Sequence, residues 1–158
     1  MVKHVKGNLL DSNCDYICHQ VNCRGRMGSG IAKQIRERFP EVYKVYRDRY
    51  EDVVKRGISP DKMLGSTDIV QINDDTRHVV NMYSQRSYGY DGKRYTSYTA
   101  FKYILERLKE EIPAECSIGF PKNIGCGLGG GNWEVISTLI EGILGETYDV
   151  YIYEWTGE

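Results

Sequence analysis

The chain has no surplus of charge of either sign: 21 lysines and arginines stand against 22 aspartates and glutamates, a formal net charge of −1. Proteins that coat polyanions draw their affinity from many cations meeting phosphates, so nucleic acid is not the expected principal partner. A small anion held by backbone groups remains compatible. No apolar run approaches the ~20 residues of a membrane span, which excludes a membrane partner of that kind and leaves the expectation of a soluble protein. The five cysteines (Cys14, Cys18, Cys23, Cys116 and Cys126) are odd in number with no secretory signal ahead of them. A disulfide framework is therefore not expected, and a reducing, cytoplasmic setting is. Cys14, Cys18 and Cys23 with His19 resemble a metal cluster at first sight, but they lie in and after a strand whose alternate side chains face opposite ways. No metal and no cofactor are expected. There is no internal repeat, linker or low-complexity tract, and 158 residues with 41% hydrophobic content fit one domain over 1–158.

What is present alternates between two periodicities. Met1 to Val5 and Tyr16 to Val21 read as strands, separated by the Asp11-Ser12-Asn13 turn. From Ser29, Ile31, Ile35 and Phe39 recur every four residues, an amphipathic helix broken near Pro40, and a second helical piece runs from about Glu41 to Lys55. Tyr43, Tyr46, Arg47, Arg49 and Tyr50 mix aromatic and basic residues as nucleic-acid faces do, yet Glu41, Asp48, Glu51 and Asp52 interrupt them, and a solvated helix face is the better reading. Leu64 to Ile72 and His78 to Met82 read as strands joined at Asn73-Asp74-Asp75. A helix follows with Tyr98, Phe101, Leu105, Leu108 and Ile112. The strand Ser117 to Phe120, the helix Trp133 to Leu144 and the strand Val150 to Trp155 close the chain. This alternation predicts an α/β, three-layer α/β/α domain around a central mixed sheet.

Two glycine-rich stretches carry the functional signal. Gly25-Arg26-Met27-Gly28-Ser29-Gly30 and Gly125-Cys126-Gly127-Leu128-Gly129-Gly130-Gly131 each follow a strand and lead into a helix. The first turn of a helix has unpaired N–H donors and a partial positive charge, and glycine lets the backbone approach a phosphate closely. Two such junctions converging on one ligand suit a pyrophosphate. The spacing is neither that of a dinucleotide fold nor that of a P-loop, and no Gly-x-Ser-x-Gly elbow is present. The segment Gln85 to Tyr95 is the longest without periodicity. Its tyrosines and basic residues suit a cover over a bound ligand, with a plain surface excursion as the other reading.

Four motifs in order, Lys6-Gly7-Asn8-Leu9-Leu10, Ile17-Cys18-His19-Gln20-Val21-Asn22-Cys23, Met27-Gly28-Ser29-Gly30-Ile31-Ala32 and Ile124-Gly125-Cys126-Gly127-Leu128 before Asn132-Trp133, resemble the macrodomain family along essentially the whole chain. The resemblance implies that ADP-ribose, free or attached to another molecule, is the partner. It places Asn8 against the adenine amino group and the Leu9 N–H against the ring, with Val21 and Asn22 at the distal ribose. Met27, Gly28, Ser29, Gly30 and Ile31 then form the first phosphate loop. Pro121, Ile124, Gly125, Cys126, Gly127, Leu128 and Gly129 form the approach to the second loop and the loop itself, and Tyr153 or Trp155 on the last strand is a candidate to stack on adenine, with packing in the core as the other reading.

The resemblance also implies chemistry, on ADP-ribose-1″-phosphate or on ADP-ribosyl esters, with non-catalytic reading of ADP-ribose as the alternative. The lysine and aspartate on which the glycohydrolase relatives rely have no counterpart, because the strand reads Asn81-Met82-Tyr83-Ser84-Gln85 and the loop reads Gly127-Leu128-Gly129. His19 matches a histidine of the phosphatase relatives, and His19 with Asn22 are the candidate catalytic residues. A satisfied core histidine is the competing reading, since strand alternation puts His19 and Val21 on one face and Asn22 on the other.

Overall fold

The computed structural model describes residues 1–73 and 75–155. Six strands form one sheet: β1 (Val2–Lys6), β2 (Tyr16–Asn22), β3 (Thr67–Gln71), β4 (His78–Gln85), β5 (Ser117–Pro121) and β6 (Asp149–Glu154). Their order is β1-β6-β5-β2-β4-β3, and all neighbours are parallel except β3, which runs antiparallel to β4. Four helices, α1 (Gly30–Arg38), α2 (Pro40–Lys55), α3 (Tyr98–Glu111) and α4 (Trp133–Leu144), complete the fold.

Strand alternation sorts the core onto two faces. Ile17 and Val79 pack with Ile35, Phe39 and Val42 of the α1–α2 layer, while Cys18, Val80 and Met82 pack with Phe101, Leu105 and Ile140 of the α3–α4 layer. Each such fully buried side chain contributes roughly 1.5–3 kcal/mol. The central strands β2 and β4 therefore bury apolar side chains on both faces, as parallel strands covered by helices do. The result is the expected three-layer α/β/α arrangement with a mixed sheet.

The local chemistry explains the element boundaries. Pro40 occupies the first turn of α2, where its missing N–H costs nothing, and Phe39 ends α1 with its N–H on the Ile35 carbonyl. Ser97 and Asn132 cap α3 and α4 by accepting from the N–H groups of Ala100 and Glu134. The strand expected from Leu64 begins only at Thr67. A 3-10 turn over Pro60–Met63 continues through Leu64 and Gly65, whose φ of +89° suits glycine. Strand β4 runs three residues past Met82, because Tyr83 and Gln85 continue the ladder with Val21 and Asn22. The expected turn at Asn73-Asp74-Asp75 includes Asp74, outside the described residues. No helix among the described residues is long and apolar enough to cross a membrane.

Candidate binding cleft

The carboxyl ends of β2, β4 and β5 lie side by side, the place where open α/β sheets bind ligands. What leaves β2 is a loop pinned from beneath. The Asn22 amide donates to the Arg26 carbonyl at 2.9 Å and accepts from the Arg24 N–H at 2.9 Å. The Tyr46 hydroxyl sits 2.7 Å from the Asn22 carbonyl and 2.9 Å from its Oδ1. Burial pushes the Tyr46 phenol up, so it stays a donor. Gly25 has φ +75°, and a Cβ there would meet Arg47 and Tyr50 at 2.6 Å. Beyond this anchor the chain enters α1 without a side-chain cap at Ser29. The N–H groups of Gly30, Ile31 and Ala32, at the positive end of the helix, are consequently left for another partner.

The second loop turns its carbonyls inward. The Gly125 carbonyl accepts from the Gly131 N–H at 2.8 Å and from the Thr96 hydroxyl at 2.6 Å, and the Gly129 carbonyl accepts from the N–H groups of Tyr95 and Thr96. Asn123, at φ +65°, accepts from the Cys126 N–H at 2.8 Å. Among the described residues the N–H groups of Gly127, Leu128 and Gly129 have no partner. Both sets of amides border one cavity of about 700 Å³, within the usual range of small-molecule sites. The cavity runs from Lys122 and Asn123 beyond β5, between the two loops, to Gln85, Tyr88 and Tyr90 beyond β4.

Of the residues expected at a site, Val21, Asn22, Gly28, Ser29, Gly30, Ile31, Pro121, Ile124, Gly125, Gly127, Leu128 and Gly129 all line this cavity. Others stand off it for identifiable reasons. Met27 is 1% exposed and plugs the core beside Tyr46, and Leu9 is buried under β5, where it fills the space of a missing Cβ at Gly119. Asn8 uses its Oδ1 on the Leu10 N–H to cap a 3-10 turn. Cys126 packs toward the α3–α4 core, and Tyr153 packs beneath Gly7. The cavity wall also contains Gln20, Ala32, Lys122 and Asn123, which sequence reasoning did not select as site residues, and Arg26 and Gln85, which it held only as members of the first glycine stretch and of the 85–95 segment. Only their position at strand ends and loop flanks distinguishes them.

His19 is fully buried one residue below the cleft floor and does not reach the cavity wall. Its Nε2 lies 2.6 Å from the Asn81 Oδ1, and the Asn81 amide nitrogen donates to Asp68. The Asn81 oxygen must therefore accept, His19 carries its proton on Nε2, and Nδ1 is left without a partner among the described residues. Burial lowers the imidazole pKa to about 4, outweighing the opposing effects of Asn81 and Asp68. Asp68 continues the chain to Tyr83 at 2.6 Å and to Arg49 at 2.9 Å. The alternation expected at the end of β2 fails by one residue. At this strand end the β4 ladder skips Ser84, pairing Val21 with Tyr83 and Asn22 with Gln85, and the Asn22 amide bonds Tyr46, against which Val21 also packs.

No family model matches the chain. It is 30% identical over 165 residues to an uncharacterized 17.5 kDa protein of Enterobacteria phage T4, covering 98% of this chain and 97% of that one. The solved macrodomain of Mycobacterium tuberculosis DarG superposes with a TM-score of 0.76 at 25% identity, over 97% of each chain. The chain belongs to the macrodomain family. This macrodomain is also 27% identical over 150 residues to the DNA ADP-ribosyl glycohydrolase of Mycobacterium tuberculosis, covering 95% of the chain but only 40% of that relative's length. A shorter stretch, 44% of the chain and 42% of the relative, is 32% identical to the ADP-ribose 1″-phosphate phosphatase of Scheffersomyces stipitis.

Proposed function

We propose that the cleft binds ADP-ribose and that the protein is a hydrolase releasing ADP-ribose from a phosphate or from another carrier. The observation that carries this reading is the convergence of two sets of unpartnered amides, Gly30 to Ala32 and Gly127 to Gly129, on one cavity. A diphosphate satisfies both sets at once. The base then occupies the Lys122–Asn123 end. There β5 lies beside β6 and β6 beside β1, which gathers Tyr153, Asn8 and Leu9 around it. The distal ribose falls at the other end, where Asn22 retains one amide hydrogen for it.

The chemistry is assigned to water. Strand β4 ends in Ser84 and Gln85, and the second loop has no carboxylate between Gly127 and Gly129, so β4 offers no lysine nucleophile and the second loop no aspartate base. In this reading a water oxygen bonds to the terminal ribose carbon as the bond to the carrier breaks. The carrier leaves with the electron pair and takes up a proton. His19 supports β2 and is not an acid or base here, because it is sealed from the cavity and neutral at physiological pH.

The rim beyond the distal ribose favours a nucleic-acid carrier. Residues 85–95 hold Arg86, Lys93 and Arg94 with Asp91 as the single acid, and Asp91 is engaged by the Tyr95 hydroxyl at 2.9 Å. Tyr88 and Tyr90 line the cleft opposite Arg26, whose guanidinium stands 5.9 Å from the Tyr88 ring. Aromatic faces among exposed cations, with Lys93 paired to Asp91 at 3.9 Å and Arg94 stacked on Tyr98, suit bases and phosphates of a single strand. The test is incubation with ADP-ribosylated oligonucleotide, glutamyl-ADP-ribosylated protein and ADP-ribose-1″-phosphate in parallel. Release from the oligonucleotide at the highest rate is expected. Binding of ADP-ribose without turnover of any of the three makes the protein a reader, and no binding removes the assignment.

A further inference from the structure

Thr96 lies outside both glycine loops and is 2% exposed, yet three parts of the cleft meet on it. Its hydroxyl donates to the Gly125 carbonyl at 2.6 Å and accepts from the Gln20 amide at 2.9 Å, while its backbone N–H donates to the Gly129 carbonyl at 3.0 Å. Gln20 is itself fully engaged. It accepts from the Ser84 hydroxyl at 2.6 Å and donates to the Gln85 Oε1 at 2.6 Å. Thr96 also forms a lone antiparallel bridge with Gln85, which closes the base of the 86–95 segment. The glycines on the other side of this contact are shaped to it. A Cβ at Gly129 would stand 2.6 Å from the Thr96 Oγ1, and one at Gly125 would stand 2.9 Å from the Gln20 Oε1.

We propose that Thr96 is a positioning residue for the phosphate site, a latch that holds the second loop with its carbonyls inward and the amides of Gly127 to Gly129 aimed into the cleft. Thr96 holds the carbonyls of Gly125 and Gly129, one on each side of the segment that offers the free amides, so that segment is fixed at both ends. The hydroxyl is suited to this because it donates and accepts at once. A backbone held in place before binding loses less conformational freedom on binding, so the latch acts on affinity. The same residue ties the loop to the carrier-side rim through Gln85. This inference rests on the ADP-ribose reading of the cleft.

The experiment compares the wild type with Thr96→Val and Thr96→Ser by calorimetry with ADP-ribose and by hydrogen exchange, without ligand, of the Gly130 and Gly131 amides, which bond the Gly127 and Gly125 carbonyls inside the loop. Valine keeps the volume and leaves the Gly125 carbonyl with the Gly131 N–H, so the fold survives. The expected result for Thr96→Val is a dissociation constant raised at least ~tenfold with faster exchange at Gly130 and Gly131, and for Thr96→Ser recovery to within about threefold. Equal affinity and equal exchange in wild type and Thr96→Val overturns the latch while the ADP-ribose reading stands. The latch is equally overturned if Thr96→Ser behaves like Thr96→Val. If the wild type does not bind ADP-ribose, the functional reading falls, and the exchange comparison alone decides whether Thr96 holds the loop. Should Thr96→Val not fold, Thr96→Ser against Thr96→Ala in the same two measurements decides it.

Discussion

An imidazole sealed from water with one nitrogen unpaired resists protonation, and His19 pays for that resistance in acid. Its pKa in the folded protein is lowered from 6.5 to about 4, so the unfolded chain binds the proton more readily between those values. The contribution is fully present above pH 6.5, declines as pH falls, and is exhausted below about pH 4. Its full extent is on the order of 3 kcal/mol. His19→Gln retains a donor for Asn81 and removes the titration. The urea midpoint of the wild type is expected to fall more steeply than that of His19→Gln between pH 7 and pH 5, and parallel profiles contradict the assignment. Tyr46 supports a second prediction at this scale. Tyr46→Phe removes the hydroxyl that pins Asn22 from α2, and about 1–2 kcal/mol of stability is expected to be lost. Affinity for ADP-ribose should weaken with it, because the first loop loses its anchor; thermal unfolding and calorimetry read the two effects separately.

The glycines of the two loops are not equivalent, and elements rather than motifs explain why. Gly28 and Gly127 have no positive φ, and an added Cβ at either meets nothing within 4 Å. Gly125 sits at φ +73° with Gln20 and Thr96 closer than a Cβ tolerates. Gly127→Val and Gly28→Val are expected to leave stability within about 0.5 kcal/mol while raising the ADP-ribose dissociation constant at least ~tenfold. Gly125→Ala is expected to cost about 1–3 kcal/mol of stability, read as a lowered melting temperature. A Gly127→Val protein with undiminished affinity would remove the second loop from the phosphate site. The strand–loop–helix junctions were legible in the sequence because periodicity switches from two to four at each of them. Asn8, Leu9, Met27, Cys126 and Tyr153 were legible as neighbours of the site, yet they stand off the cavity wall. Motif order says nothing about which side of a loop a residue turns to, and apolar burial claims Leu9 and Met27. Thr96 was not legible at all, and Gln20 and Gln85 were legible only as members of a motif and of the 85–95 segment, since their roles arise from strands brought together across 64 to 76 residues of chain.

At the scale of the molecule, the proposed function has a chain with a net charge of −1 grip an anion by backbone dipoles in the cleft and meet a carrier by cations on its rim, and ionic strength separates the two. Between about 0.1 M and about 1 M salt the Debye length shrinks from ~10 Å to ~3 Å. Amides aimed at a bound diphosphate release few counterions and act at contact distance. The affinity for free ADP-ribose is therefore expected to change by less than about threefold over that range. Arg26, Arg86 and Arg94 meeting three phosphates of a single strand give a slope of about 0.7 per contact, a weakening of roughly a hundredfold over the same range. Turnover of ADP-ribosylated oligonucleotide should thus show a KM that climbs steeply with salt while kcat and the free ADP-ribose affinity hold. Substituting the three arginines by glutamine should flatten the KM dependence and nothing else. A KM for oligonucleotide as flat as the ADP-ribose affinity would mean that the rim does not touch the carrier. A steep dependence for free ADP-ribose would mean that side-chain cations, not the two loops, hold the phosphates.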